Sequence, residues 1–591
     1  MGFIPTTFTP MGDGGIKHAN LPVPAGGANF RSDWKSTDVS KCVSLKNVVP
    51  CDTGIRSRGS FEQTLNELGE GTFHSMTSRT YCEKNFIHFG NKLYSISHDS
   101  SQWQLVYEGV PDKSSMFCEF ASKLYLYSDT YVYSIDRDFN CVEEFPKVPL
   151  VVTGVDPEHG NLGTMVQDYW VNLIAPVIAV EYRAFSGWQI TLPYKRDTTR
   201  KIRAFSGDEE IGVSIDRCTD YQVYFDKLQE YAVIRLEYYL AQPEDIKYDS
   251  FFSGCTCCVA YGGSDAGGTR VFAGGNSERT GEYCKSELID PMCFKMSSIE
   301  KLGDGSDGIT GFIKMYDNLL ILTDRSVYRM NYKLTDSGGF FNVCQINSQI
   351  GCDMPHSVQL IANRAVFANS RLGVHMVYYA DETGEMNVVP VSGNINTGDG
   401  GLLCNSRESL KNAQSLDYDS KYFLCIGSKV YVWDYGMCGF IRSGNYENSQ
   451  GRLVWFLWDE IDSDILFSME EGLYSLKKDG GIVGRYNAEK SCNQCFFVTE
   501  QYDFGNAMKK KSVTHIKLDL KMSKGTEIVL TLYSDAKPYY SQSIYCAKDK
   551  SECIDIKLPE MPLHRFSYGL GTTGGFFELS SASASLKLCA E

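Results

Sequence analysis

Cysteine is the residue whose number and spacing most directly invite chemistry here. The chain holds 21 Cys in 591 residues. The run SGCTCCVAYGG carries Cys255, Cys257 and Cys258, with Cys284 and Cys293 downstream, and CNQC sets Cys492 and Cys495 at a C-x-x-C spacing. Thiolates at such spacing hold zinc when a second pair follows roughly 12–20 residues on. Neither group has that second pair, so the expected role is that of small buried hydrophobes, with no metal site. On a strand, Cys255 and Cys257 would face one side and Cys258 the other. The segment GDGSDG (303–308) gathers Asp304 and Asp307 among glycines, but it lacks the later Glu and the ligand rhythm of an EF-hand, and reads as a tight turn.

Catalytic constellations are poor. No G-x-S-x-G, H-E-x-x-H or P-loop occurs, the nine His are scattered, and no pair stands out among 73 acidic residues. The reading is therefore of a chain with no catalytic residue and no cofactor, not an enzyme, although glycosidase carboxylates need share no local motif. Two basic runs remain. YKRDTTRKIR (194–203) and MKKKS (508–512) could touch phosphates, or could face solvent or acidic groups.

Such residues need elements to position them. A hydrophobic content of 43% and a charged content of 22% describe a globular chain. Aromatics at 13% and 54 Gly favour strands joined by tight turns. The net charge of −16 argues against general attraction to nucleic acid. No apolar leader is visible at MGFIPTTFTPMGDGGIKH, so free thiols in a reducing cytoplasm are expected, and no run of about 18 uncharged apolar residues could span a membrane.

One hairpin pattern recurs: NFIHFGNKLYSISHD (85–99), SKLYLYSDTYVYSID (122–136), NLLILTDRSVYRMNY (318–332), NRAVFANSRLGVHMV (363–377), KYFLCIGSKVYVWDY (421–435) and SDILFSMEEGLYSLK (463–477). Each is two short apolar strands around a polar turn. Steps near 40–45 residues, roughly, are those of propeller blades, and a ring of small sheets buries faces that one hairpin cannot. The expected fold is all-β: a β-propeller of six or seven blades built from 61–153 and 246–494. An inserted β-sandwich is expected at 154–245, where the rhythm breaks, and a C-terminal β-sandwich at 495–591. Residues 1–60, with few periodic apolar positions, read as an extended N-terminal arm. FEQTLNEL (61–68) is the best helical candidate.

Three stretches carry a resemblance. In the first, Asn29, Phe30, Ser44, Lys46, Asn47, Val48, Gly54, Arg56, Arg58 and Gly59 match residue types of an "N-F…D…S-x-x-K-N-V-x-x-x-x-G-x-R-x-R-x-G" pattern. In the second, Tyr261, Gly262, Gly263, Arg270, Val271, Phe272, Gly275, Asn276, Tyr283, Ser286, Asp290 and Pro291 match residue types of "Y-G-G…R-V-F-x-x-G-N" followed by "W/Y-x-S…D-P". In the third, Ile309, Gly311, Lys314, Tyr316, Asp317, Asn318 and Leu319 fit "I-x-G-x-x-K-x-Y-D-N-L". Asn172-Leu173 matches more loosely. The chain thereby resembles a family of β-propeller virion structural proteins of tailed bacteriophages, mostly of Gram-positive gut bacteria, named for packaged-DNA stabilisation or for the neck and tail. The resemblance implies a non-enzymatic subunit of the neck or tail, assembled in the host cytoplasm. Its partners would be portal or adaptor, tail-hub or fibre proteins, in a homo-oligomeric ring, with possible contact to packaged DNA. It supplies no catalytic residue. Within the arm, Phe30 and Trp34 are the expected apolar anchors for a partner, and Arg56 and Arg58 the expected grip on a carboxylate. Alternatives are a tail-tip receptor- or glycan-binding protein, using aromatic pairs such as Tyr238-Tyr239 or Tyr539-Tyr540, and a polysaccharide hydrolase.

Overall fold

The repeated hairpins are the middle strands of antiparallel meanders. Asn318–Thr323 pairs with Val327–Thr335 through Leu319↔Met330 and Ile321↔Tyr328, and Ile309–Met315 and Gly338–Asn347 complete that sheet. The same four-stranded order recurs at 73–108, 115–144, 359–390 and 414–458, and at 257–301 with the short Glu300–Lys301 added. Middle strands such as NLLILT are buried on both faces, because a sheet in a stack has neighbours on each side. The computed structural model describes the chain except residues 1–16, 32–39, 64–66, 98–101, 167–169, 264–267, 336–337, 380–384, 438–452, 471, 493 and 590–591.

The chain divides into two compact units, 70–353 and 1–69 with 354–591. Within the first, the opening strands of successive sheets lie side by side in the order Phe73–Met76, Ser115–Phe120, Cys257–Tyr261, Ile309–Met315. Within the second, Gln359–Ile361, Gln414–Tyr418 and Ile465–Met469 do the same. This is blade packing, and the fold is all-β and of propeller type. Several turns between first and second strands have two consecutive residues in the left-handed region, as at Ala362 and Asn363 (φ 46° and 61°), which matches the strand twist of a tight hairpin.

The segment between the second and third blades differs from the expected sandwich. It is one six-stranded sheet built on two long strands, Val177–Thr191 and Gln222–Tyr239. Their register shifts between Tyr182, Phe185, Gly187 and Gln189. Such bulges bend a strand, and Ile178 and Val180 from one half share a buried cluster with Ile190, Val223 and Phe225 from the other. Its base is continuous with the blades: Leu173, Val177, Ala179 and Tyr239 lie in one core with Met116, Tyr127 and Phe252.

The expected arm is also corrected. Gly59–Gln63 is the fourth strand of the last blade sheet, pairing through Tyr486↔Phe61 and Asn487↔Ser60. At 61–63 a strand stands where a helix over 61–68 was expected, because pairing to an open strand edge outweighs a weak helical pattern; residues 64–66 lie outside the described residues. Lys17–Leu21, Cys42–Lys46, Val48–Cys51 and Gly54–Ser57 are strands of the two C-terminal sheets, where they join Cys495–Thr499, Lys511–Met522, Glu527–Ser534, Lys537–Tyr545, Lys550–Lys557, Phe566–Thr572 and Phe577–Leu588. Alternation is clean there: Ile528, Leu530 and Leu532 point inward from EIVLTLYS.

Candidate functional site

Two of the four expected partner-binding residues, Phe30 and Arg58, are internal fasteners. Phe30 is buried beside Gly398 and Gly400, and its backbone N–H donates to the Asn394 carbonyl at 2.8 Å. Arg58 is only 3% exposed. Its Nε donates to Asn47 Oδ1 at 2.7 Å, Nη1 to the Gly59 carbonyl at 2.7 Å and Nη2 to the Asp459 carbonyl at 2.8 Å. Arg56, half-buried, reaches the Ala488 carbonyl. Burial without an acidic partner leaves no free fork for a second protein, so Phe30 and Arg58 are withdrawn as docking residues. Trp34 lies outside the described residues.

Lys195, Arg196 and Arg200 of the basic run 194–203 are likewise occupied in fastening. Arg196 donates to the Thr219 carbonyl, and Lys195 pairs with Asp220 at 2.9 Å. Arg200 lies between two rings, 3.3 Å from the Tyr131 centroid and 3.7 Å from that of Tyr239, and donates twice to Thr130. It therefore pins the inserted sheet to the second blade. In MKKKS, Lys511 is buried and donates to the Asp503 and Asn506 carbonyls, while Lys509 and Lys510 are exposed. GDGSDG is a turn: Asp304 accepts from the Ser306 N–H at 2.9 Å and Asp307 from the Ser326 hydroxyl at 2.9 Å.

Three pairs of thiols adjoin one another. Cys255 adjoins Cys284, Cys258 adjoins Cys118, and Cys492 adjoins Cys495. The strand begins only at Cys257, so Cys255 packs with the same core as Cys258, contrary to the expected alternation; Cys257 does face the opposite side. A hydrogen bond from Cys495, opposed by burial and aided by the Arg58 guanidinium, brings the Cys492 thiol down to about 7. Among the described residues no three His, Cys, Asp or Glu side chains converge as a metal site would require.

A cleft of about 400 Å³ opens where the inserted sheet meets the second and third blades. The linker 145–149, Trp170, Arg203, Arg235, Glu237, Glu287, Cys293 and Lys295 line it. Arg235 is fixed on Glu237 at 2.8 Å, and Lys295 pairs with Glu287 at 3.2 Å while lying 5.0 Å from the Trp170 ring centroid. Arg203 is held differently. Its nearest carboxylate oxygens, on Glu210 and Glu237, stand at 3.7 and 3.8 Å, beyond hydrogen-bond length for its guanidinium. Phe205 and Phe145 support its guanidinium at 4.7 and 5.6 Å. Lys147 also has only a distant partner, Asp290 at 3.8 Å. Burial pushes the Cys293 thiol up to about 12, so it is an inert part of the wall. Behind the lining, the fully buried Asn172 ties two segments together by donating to the Lys147 and Met292 carbonyls and accepting from the Ile174 and Phe294 N–H groups. Of these residues the sequence singled out only Arg203, within its basic run, Cys293 and Asn172. The others are spread from 147 to 295 with no local spacing.

A second cleft of about 430 Å³ lies between the third and fourth blades, lined by Tyr283, Glu300, Tyr328, Phe341, Asn342 and Gln345 among others. Glu300 accepts from the Tyr283 hydroxyl at 2.5 Å and pairs with Lys285. The aromatic pairs expected for ligand contact do not line either cleft: Tyr238 and Tyr239 are core residues, and Tyr539 and Tyr540 are half-buried in the C-terminal sheets.

No protein-family model matches the chain, and no curated protein matches it. Among solved structures, apo AztD from Citrobacter koseri is similar over 75% of this chain and 96% of its own, at 11% identity and a TM-score of 0.30. The exo-beta-1,3-galactanase Pc1,3Gal43A from Phanerochaete chrysosporium, solved with galactose, is similar over 80% and 97%, at 8% identity and a TM-score of 0.23. Similarity at that level transfers no residue role.

Proposed function

We propose that this chain is a structural subunit of a tailed-phage virion, placed at the neck or tail, where it stabilises the packaged genome or forms part of a hub. It would bind other virion proteins in an oligomeric ring. One observation carries the reading: the residues that resemble the virion family hydrogen-bond to one another. Arg58 joins Asn47. The Tyr261 hydroxyl donates to the Asp317 carbonyl at 2.6 Å. Arg270 donates to the Ser286 carbonyl at 2.7 Å, and the Ser286 hydroxyl accepts from the Val271 N–H at 2.9 Å. A pattern spent on buried clasps is one that preserves a rigid scaffold, which is what a repeated assembly subunit needs. The test is mass spectrometry of density-purified tailed particles from the source culture. Peptides of this chain should co-purify with capsid protein at several copies per particle; their absence from intact particles removes the proposal.

A second reading, glycan binding at a tail tip, draws on the cleft of Tyr283, Tyr328 and Phe341. Its flat rings stand beside Asn342, Gln345 and Glu300, which is a surface suited to sugar faces and hydroxyls. Saturable binding of purified cell-wall glycan, lost in Tyr328→Ala, would favour it over a purely scaffolding role.

A further inference from the structure

We propose that the cleft between the inserted sheet and the second and third blades binds the phosphate group of a small ring-bearing ligand, a nucleotide or a sugar phosphate. This goes beyond the virion reading and does not depend on it.

The charge balance is the first argument. Four cations, Lys147, Arg203, Arg235 and Lys295, line the space with two carboxylates, Glu237 and Glu287. Glu210 at 3.7 Å from Arg203 and Asp290 at 3.8 Å from Lys147 bring the carboxylates to four as well, so the charges balance, but the pairs of Arg203 and Lys147 are the loosest and leave these two cations for an anion to recruit.

Unused donors are the second argument. Arg235 and Lys295 are engaged by Glu237 and Glu287, but the Arg203 carboxylate neighbours stand beyond hydrogen-bond length. A guanidinium with five N–H donors, supported by Phe205 and Phe145, is a preset fork for two phosphate oxygens. Lys147, 3.8 Å from Asp290, can swing to the same anion as a point charge. The third argument is shape. A volume of about 400 Å³ suits one small molecule, and the Trp170 ring and Pro146 and Pro149 give flat apolar walls for its ring. Duplex DNA presents singly charged phosphates on a continuous backbone, and a cleft of this volume admits no such backbone.

The experiment is calorimetric titration of the full chain at low salt with inorganic phosphate, AMP and glucose 1-phosphate, with a short DNA duplex as competitor. Saturable phosphate binding is expected, tightened by at least one of the two ring-bearing monoesters; which one identifies the source. Arg203→Gln should weaken binding by about tenfold or more, and Lys147→Gln by less. Glu210→Gln, which removes an exposed carboxylate beside Arg203, should tighten it, a direction that misfolding cannot mimic. Absence of saturable binding, equal affinity in Arg203→Gln, or duplex DNA displacing a monoester that binds no better than phosphate alone would each overturn the proposal.

Discussion

Arg58 and Asn47 form the knot of their unit: Arg58 Nε donates to Asn47 Oδ1 at 2.7 Å, and the same oxygen accepts the Asp459 N–H at 2.7 Å. Asn47 Nδ2 donates in turn to the Gln494 carbonyl at 2.8 Å. Two side chains thereby tie the N-terminal strands to the loop after the 414–458 sheet and to the start of the C-terminal sheets. Asn47 sits at φ 58°, a left-handed conformation that asparagine tolerates better than most residues.

Replacing Arg58 with Ala strips hydrogen bonds from two carbonyls and one amide oxygen in a buried place. Stability should fall by about 2–4 kcal/mol in urea denaturation. Arg58→Lys should recover only part, because an ammonium cannot span the three acceptors. A change within about 0.5 kcal/mol would mean the knot does not hold the fold.

Phe30 separates an internal from an external role. Its ring is 3% exposed and packs in the core with Leu457 and Ile395. Phe30→Ala should cost about 3–5 kcal/mol in the isolated chain. A variant of unchanged stability that fails only to assemble would restore the docking role withdrawn above.

Arg200 offers a test of how the inserted sheet is held. Arg200→Ala removes stacking on Tyr131 and Tyr239 and two hydrogen bonds to Thr130. A loss of about 1–3 kcal/mol is expected, with proteolytic cleavage within 154–245 accelerated relative to the rest. Uniform acceleration along the chain would contradict a local clasp.

His88 gives an acid-side signature. Burial, and then neighbouring His74, push it from 6.5 down to about 4. The unfolded chain therefore binds a proton near 6.5 and the folded chain only near 4. Stability from this group is complete above the unfolded value and is lost as the pH falls from about 6.5 toward 4, by up to about 3 kcal/mol. His88→Gln should flatten that slope in denaturation curves at pH 7, 6 and 5; an unchanged slope would show that His88 binds its proton equally well in the folded and unfolded chain.

The thiol pairs predict the metal content. Two adjacent sulfurs supply half of a structural zinc site. Elemental analysis of protein purified without chelator should find less than one zinc per chain. A stoichiometric zinc lost in Cys255→Ser would require ligands converging on that pair.

The sequence by itself determined the class of fold. Alternating strands, aromatic doublets and a repeating hairpin are local properties, and they forecast the middle strands at 318–332 and 421–435 because a blade's pattern is written within about 40 residues. What only the tertiary structure decided is where distant segments meet. Residues 59–63 close a sheet that begins some 400 residues later, at Ile465, and 17–57 complete the C-terminal sheets, so a stretch with little core of its own read as a loose arm. The cleft beside the inserted sheet was equally hidden. Lys147, Arg203, Arg235 and Lys295 come from a linker, two strands and a loop. Their significance rests on Arg203 standing 3.7 Å or more from each carboxylate near it, and distances across a fold leave no trace in the order of its residues.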